Sequence, residues 1–192
     1  VLDVAENAFS SNGLKAKFDV GDCLNLPYED DSFDLVFSIG LLEHFEDIDR
    51  VIAEQYRILA PGGKFIGYVV PHIPENVQVE YSWICDLLKT LVPANQNIEK
   101  TPVYRSDVLS PPYLESMQQV GFKDMGASGT YPLPMVSHSI DFPFTLLSSK
   151  AEEILVNQFM KMLDKRKKEF PETTNPWLCD EGYGQAFLIW GT

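Results

Sequence analysis

Phe33-Asp34-Leu35-Val36-Phe37-Ser38-Ile39-Gly40-Leu41-Leu42-Glu43-His44-Phe45 holds a strand pattern, a glycine turn and, after that turn, two ionisable side chains in thirteen residues. The first seven residues are mostly apolar, which predicts a strand in a sheet covered on both faces. Tyr28-Glu29-Asp30-Asp31-Ser32 before it is a polar turn, and Ala16 to Val20 reads as a shorter strand ended by Gly21-Asp22. After it, Asp47 can cap a helix with apolar positions Ile48, Val51, Ile52, Ile58 and Leu59, near a 3.6-residue period. Pro61-Gly62-Gly63 is expected to stop that helix, and Lys64 to Val70 to form the next buried strand. Strands separated by helices imply parallel βαβ units and an α/β fold.

The second half is less regular. Val77, Tyr81, Ile84, Leu88 and Leu91 have helical spacing. Ser110-Pro111-Pro112 offers a helix start, Leu114 and Met117 an inward stripe, and Gly121 a stop. Phe122 to Tyr131 is a possible strand. Ser149-Lys150-Ala151-Glu152 has the capping-box pattern and opens a helix with Ala151, Ile154, Leu155, Phe159, Met162 and Leu163 on one face. Gln185 to Trp190 is a closing strand. Lys165-Arg166-Lys167-Lys168 suits a helix C-terminus, where the macrodipole favours cations; an anionic ligand is the alternative.

The 192 residues suit a single domain, and the formal charge of −13 argues against a nucleic-acid partner, whose phosphates need Lys and Arg. No apolar run approaches the roughly 20 residues that span a bilayer, so no membrane span is expected. Cys23, Cys85 and Cys179 are widely spaced, which predicts neither a metal site nor a disulfide framework, and favours a reducing, cytoplasmic setting.

Ligands of open α/β sheets bind beyond the carboxyl ends of the strands. Asp22, in the loop Gly21-Asp22-Cys23-Leu24, can accept from an exocyclic amine while a neighbouring amide donates to a ring nitrogen; the plainer reading of Gly-Asp is a turn. Gly40 permits close backbone approach of a ligand. Glu43 and His44 put a carboxylate and an imidazole at the same end, as base, substrate partner or structural groups. Leu59 to Phe65 lacks the Gly-x4-Gly-Lys spacing of a phosphate loop.

The ordered set Gly21-Asp22, Leu26-Pro27-Tyr28, Ser32 to Val36, Leu42-Glu43-His44-Phe45 and Leu59-Ala60-Pro61-Gly62-Gly63 resembles the class I S-adenosylmethionine-dependent methyltransferases. The nearest branch holds small-molecule enzymes such as the ubiquinone and menaquinone C-methyltransferases. The likeness is good over residues 16–71 and looser over 107–131 and 184–191. It implies a Rossmann-like three-layer sandwich, a mostly parallel sheet with an antiparallel C-terminal strand, and S-adenosyl-L-methionine as cofactor. Asp22 would accept from the adenine amino group, with Gly21, Cys23 and Leu24 beside the ring. Ser38, Ile39 and Gly40 would line the methionine part, and Glu43 and His44 would border the reacting methyl group as catalytic candidates. The acceptor would be a small, apolar or aromatic molecule. Residues 72–106 and 132–183, holding Tyr81, Trp83, Tyr104, Tyr131, Met135, Phe142, Phe144 and Trp177, would be insertions covering it. A non-catalytic binding module and an RNA or protein methyltransferase are the alternatives.

The family's glycine-rich loop after strand one is not found. Val1-Leu2-Asp3-Val4 is therefore either strand two, with Asp3 holding the ribose hydroxyls, or strand one with residues lost between Val4 and Glu6. Nineteen positions separate Asp3 from Asp22, too few for a complete crossover, so the second reading is favoured and part of the N-terminal half would be lacking.

Overall fold

The computed structural model describes residues 2–72, 87, 90, 103–130, 147–169, 175–182, 184 and 186–192. The expected helix over Val77 to Leu91 lies almost wholly outside these residues, as do Tyr81, Trp83, Tyr131, Met135, Phe142 and Phe144.

In chain order the elements are α1 (Leu2–Ser11), β1 (Phe33–Ile39), a 3₁₀ turn (Leu42–His44), α2 (Ile48–Arg57), β2 (Leu59–Val69), α3 (Pro111–Val120), β3 (Gly126–Thr130), α4 (Ser149–Glu169), β4 (Leu178–Cys179) and β5 (Ala186–Gly191). The strands form one mixed sheet in the order β1-β2-β5-β3-β4. β1 and β2 run parallel, as a βαβ unit through α2 requires. β5 is antiparallel to β2 and to β3, and β4 is antiparallel to β3. This is the expected α/β, Rossmann-like architecture, with its antiparallel C-terminal strand.

One face of the sheet carries the core. Val36, Phe65, Val69, Phe187 and Ile189 are buried there with Val51 and Ile52 of α2 and Tyr113 and Met117 of α3. The stripe predicted for α3 is present, and Gly121 closes the helix at φ +113, a left-handed position that glycine adopts without strain. Asp47 caps α2 by accepting from the amide of Arg50 at 3.3 Å.

Four local expectations are corrected. Residues 2–11 form a helix unbroken across Val4 to Glu6, so neither strand reading of the start holds, and Asp3 sits in a helical first turn rather than at a strand end. Ala16 to Val20 pairs with no strand; Val20 is largely exposed, and the chain turns at Asp22 through an isolated bridge to Asn25. α2 ends at Arg57, and Leu59 already belongs to β2. Pro61-Gly62-Gly63 instead fills an irregularity in the ladder, where Phe33 pairs with Leu59 and Leu35 with Lys64. The N-terminus of α4 is held one residue early: the hydroxyl of Ser148 accepts from the amide of Ala151 at 3.3 Å.

Candidate active site

Parallel pairing of β1 and β2 puts Ile39 and Val69 at the same end of the sheet, and the groups singled out above converge beyond it. Gly40 leaves β1 at φ +62, with its amide donating to the carbonyl of Tyr68 at 2.9 Å. A side chain there would be strained, although the nearest atom to a Cβ would be Glu43 Oε1, 3.7 Å away. The turn therefore leaves open space beside the strand end.

Leu42 anchors the 3₁₀ turn. Its side chain is fully buried and packs over Gly67 of β2, where a Cβ would lie 3.0 Å from Leu42 Cδ1 and 2.9 Å from Ile189. A side-chain-free position in β2 thus seats the turn that carries Glu43 and His44.

Glu43 is 1% exposed, and its Oε2 has no hydrogen-bond partner. Burial pushes its carboxyl above the usual carboxylate range; its own amide and that of Val70 oppose the shift, as do the nearby His44 and Arg105. Ser38 Oγ is a second buried polar atom without a partner. The backbone of Glu43 is tied into the same end: Ser106 donates its amide to the Glu43 carbonyl at 2.8 Å, and His72 donates to the Ser106 carbonyl at 2.8 Å. The hydroxyls of Ser106 and Tyr113 are bonded at 2.9 Å, and burial raises the pKa of Tyr113 and Tyr68.

His44 lies 2.7 Å through Nδ1 from the carbonyl of Tyr104. A carbonyl only accepts, so Nδ1 carries the proton, and in the neutral ring Nε2 is left with its lone pair. The structure brings Ser38, Ile39, Gly40, Glu43 and His44 together. It adds Ser106, which no motif marked, and Tyr113, which was not singled out as a site residue; Ser106 is more than sixty residues from Glu43, and only the fold joins them.

Asp22 stands on a separate loop. Its Oδ1 accepts from the amide of Leu24 at 2.9 Å, closing a local turn, so the turn reading of Gly21-Asp22 is realised. The carboxylate stays exposed, while Cys23 and Leu24 are partly buried against the core. Burial raises the Cys23 thiol above its ordinary value. The loop is pinned to α2. Leu26 donates its amide to Glu54 Oε1 at 2.6 Å, and Arg57 grips Glu54 with Nε and an Nη at 2.9 and 2.7 Å. Arg57 also reaches Asp30 at 2.7 Å and the Tyr28 carbonyl at 2.8 Å. Among the described residues no His, Cys, Asp and Glu cluster could hold a metal ion, and no helix is long and apolar enough to cross a membrane.

The glycine turn and the buried Glu43 carboxyl thus lie beyond the ends of the parallel strands, where ligands of open α/β sheets bind. Residues 1–67 match the family model described as a methyltransferase domain. Over 64 residues the chain is 45% identical to norajmaline N-methyltransferase of Rauvolfia serpentina, covering 32% of this chain and 22% of that protein. Over 86 residues it is 36% identical to demethylmenaquinone methyltransferase of Lactobacillus johnsonii, covering 43% of this chain and 34% of that protein. The chain thus spans about a third or less of the length of these relatives. The crystal structure of YcgJ from Bacillus subtilis superposes with a TM-score of 0.51 at 19% identity, over 98% of this chain and 76% of that one, and shares the fold. Residues 1–67 are thus similar to methyltransferase domains, whose cofactor is S-adenosyl-L-methionine.

The residues present suit one side of that cofactor. The open space at Gly40 and the partnerless oxygens of Ser38 and Glu43 are what a bound ammonium or hydroxyl would occupy and satisfy.

Proposed function

We propose that this chain belongs to an S-adenosyl-L-methionine-dependent methyltransferase acting on a small, apolar or aromatic molecule. The observation that carries the reading is the strand end where Gly40, Ser38 and Glu43 leave open space beside unsatisfied buried oxygens, inside the segment that matches the methyltransferase domain. Ser38, Ile39 and Gly40 would hold the amino-acid part of the cofactor, and Asp22, with Gly21, Cys23 and Leu24, its adenine. Asp3, in the first turn of α1, keeps a ribose role only if that helix lies against the nucleoside.

The cofactor supplies an activated methyl group on a sulfonium, so the protein has to orient the acceptor and exclude water. Where the acceptor must lose a proton, His44 Nε2 is the available base, with Nδ1 anchored on Tyr104. Glu43, whose carboxyl burial pushes above the usual carboxylate range, would border the reacting methyl group as a second catalytic candidate. Residues 72–106 and 132–183 would cover the acceptor. A small-molecule acceptor is favoured by the charge of −13, which repels RNA, and by the similarity to proteins named norajmaline N-methyltransferase and demethylmenaquinone methyltransferase. A reducing, cytoplasmic setting accords with the free thiols of Cys23 and Cys179.

The second reading is a binding module without transfer activity. Calorimetric titration with S-adenosyl-L-methionine, followed by a radiolabelled methyl-transfer screen of small-molecule, protein and RNA extracts, separates the readings. Binding and label in small molecules supports the enzyme; binding without label in any pool supports the module. No binding at millimolar cofactor sinks both, and label confined to RNA or protein moves the acceptor class.

A further inference from the structure

Residues 103–107 form a strap bonded into the turns that follow both parallel strands. The Tyr104 carbonyl holds His44 Nδ1 at 2.7 Å, the Ser106 amide donates to the Glu43 carbonyl at 2.8 Å, and the His72 amide donates to the Ser106 carbonyl at 2.8 Å. The strap uses backbone atoms in each of these bonds. Ser106 turns its hydroxyl inward to meet that of Tyr113. Tyr104 and Arg105 are exposed, and so is His72.

Arg105 stands between the residue that binds His44 and the residue that binds His72. Among the described residues its guanidinium has no ion pair or hydrogen bond, and the Tyr104 hydroxyl and the His72 ring have no hydrogen-bond partner. Asp107, the next acid on the strap, forms no ion pair with Arg105. These side chains gather around one spot. Burial raises the Glu43 carboxyl, and the charges of His44 and Arg105 are close enough to oppose the shift. Burial also raises the Tyr113 hydroxyl, and Glu43 and Tyr104 are close enough to add to that shift.

A guanidinium, a phenol hydroxyl and an imidazole N–H are all donors, and arginine presents its donors in a fork that matches a carboxylate. We propose that the methyl acceptor is an acid, and that Arg105, with the Tyr104 hydroxyl and the His72 ring beside it, binds the acceptor's carboxylate. This rests on the methyltransferase reading and narrows it, to an apolar or aromatic body with an anionic end. The anchor lies one residue from the carbonyl that orients His44, so a carboxylate on Arg105 directs the rest of the acceptor toward His44 and the Gly40 turn. With the cofactor's ammonium beside Ser38 and Glu43, Arg105 keeps no counter-ion of its own. The chain as a whole carries a charge of −13 and repels anions, so selective binding of an acid has to come from a local set of donors.

The test is calorimetric titration of the full chain, with S-adenosylhomocysteine present, by naphthoate and by its uncharged amide, naphthamide. The acid should bind about tenfold more tightly than the amide, the scale of a charged hydrogen bond gained. Arg105→Gln should abolish that preference and Arg105→Lys should keep part of it, with circular dichroism to check folding. Lys123→Gln should leave it intact, because Lys123 lies beside Leu59 and Pro61 at the opposite end of β2. Modification of Arg105 by phenylglyoxal, located by mass spectrometry, should be slowed by the acid and not by the amide. An acid that binds no better than its amide overturns the proposal. So does a preference that survives Arg105→Gln, or one that falls equally in Lys123→Gln, which would mean unspecific attraction. Failure of the underlying reading looks different. Acid preference and phenylglyoxal protection without methyl transfer to any pool would keep the anion site and sink the enzyme. Label confined to neutral or basic molecules would keep the enzyme and sink the anion site.

Discussion

His44 and Tyr104 are sixty residues apart and meet through a 2.7 Å contact between imidazole Nδ1 and a backbone carbonyl. That bond ties the segment entering α3 to the turn after β1. His44→Asn keeps a donor near the Nδ1 position but removes Nε2, whereas His44→Ala removes both. Hydrogen exchange at residues 103–109 should therefore quicken in the alanine variant and stay close to wild type in the asparagine variant. If methyl transfer survives in the asparagine variant, His44 positions the segment and is not the base.

Glu43 makes the fold pH-sensitive in a defined direction. Its carboxyl pKa is raised by burial, so the native state holds the proton more tightly than the unfolded chain does. Stability is then lost, not gained, as pH climbs from the ordinary value of 4.5 through the raised one. Glu43→Gln cannot ionise and should remove that loss. Chemical denaturation of both proteins between pH 4 and about pH 8 should give curves that diverge upward in pH, with the variant the more stable at the alkaline end. Parallel curves would show that the carboxyl is solvated.

Asp22 is expected to bind rather than to support the fold, since its carboxylate is exposed and closes only a local turn. Asp22→Ala should weaken cofactor binding by about 1–3 kcal/mol, the scale of a lost hydrogen bond to a charged group. Calorimetric titration with S-adenosyl-L-methionine measures this directly. Unchanged affinity with an unchanged melting curve removes Asp22 from the site.

Gly67 offers the sharpest packing test. A methyl group there meets Ile189 at 2.9 Å and Leu42 at 3.0 Å, both in the packed interior. Gly67→Ala should cost about 1–3 kcal/mol by overpacking and shift the 3₁₀ turn. A variant as stable as wild type, with unmoved amide resonances for Glu43 and His44, would show that the turn does not rest on this contact.

The parallel β1–α2–β2 unit was legible because local signals agreed: an apolar run, a capping aspartate and a helical period all point the same way. α3 was legible for the same reason, from its prolines and Gly121. The first residues were not. Val1-Leu2-Asp3-Val4 has strand composition, but among the described residues no strand pairs with Leu2, Asp3 and Val4, which lie in a helix instead. Ala16 to Val20 failed as a strand for want of the same partner. At Pro61-Gly62-Gly63 the punctuation was read correctly as a break in regular structure but assigned to the helix rather than to the ladder. Of the candidate site, the residues near Gly40 were visible in one continuous motif, whereas Ser106 and Tyr113 arrive by tertiary contact alone.

The position of β5 bears on how this protein is made. The sheet order places Ala186–Gly191 between β2 and β3, so the strand written last in this sequence is the middle one of five. Until β5 is added, the β1–β2 pair and the β3–β4 pair each have one edge unpaired. Long-range pairings of this kind form slowly, and open edges invite aggregation in the interval. A nascent chain halted before residue 186 should therefore engage chaperones and resist native-like compaction, and addition of residues 186–191 should be the step that lets the two halves of the sheet meet.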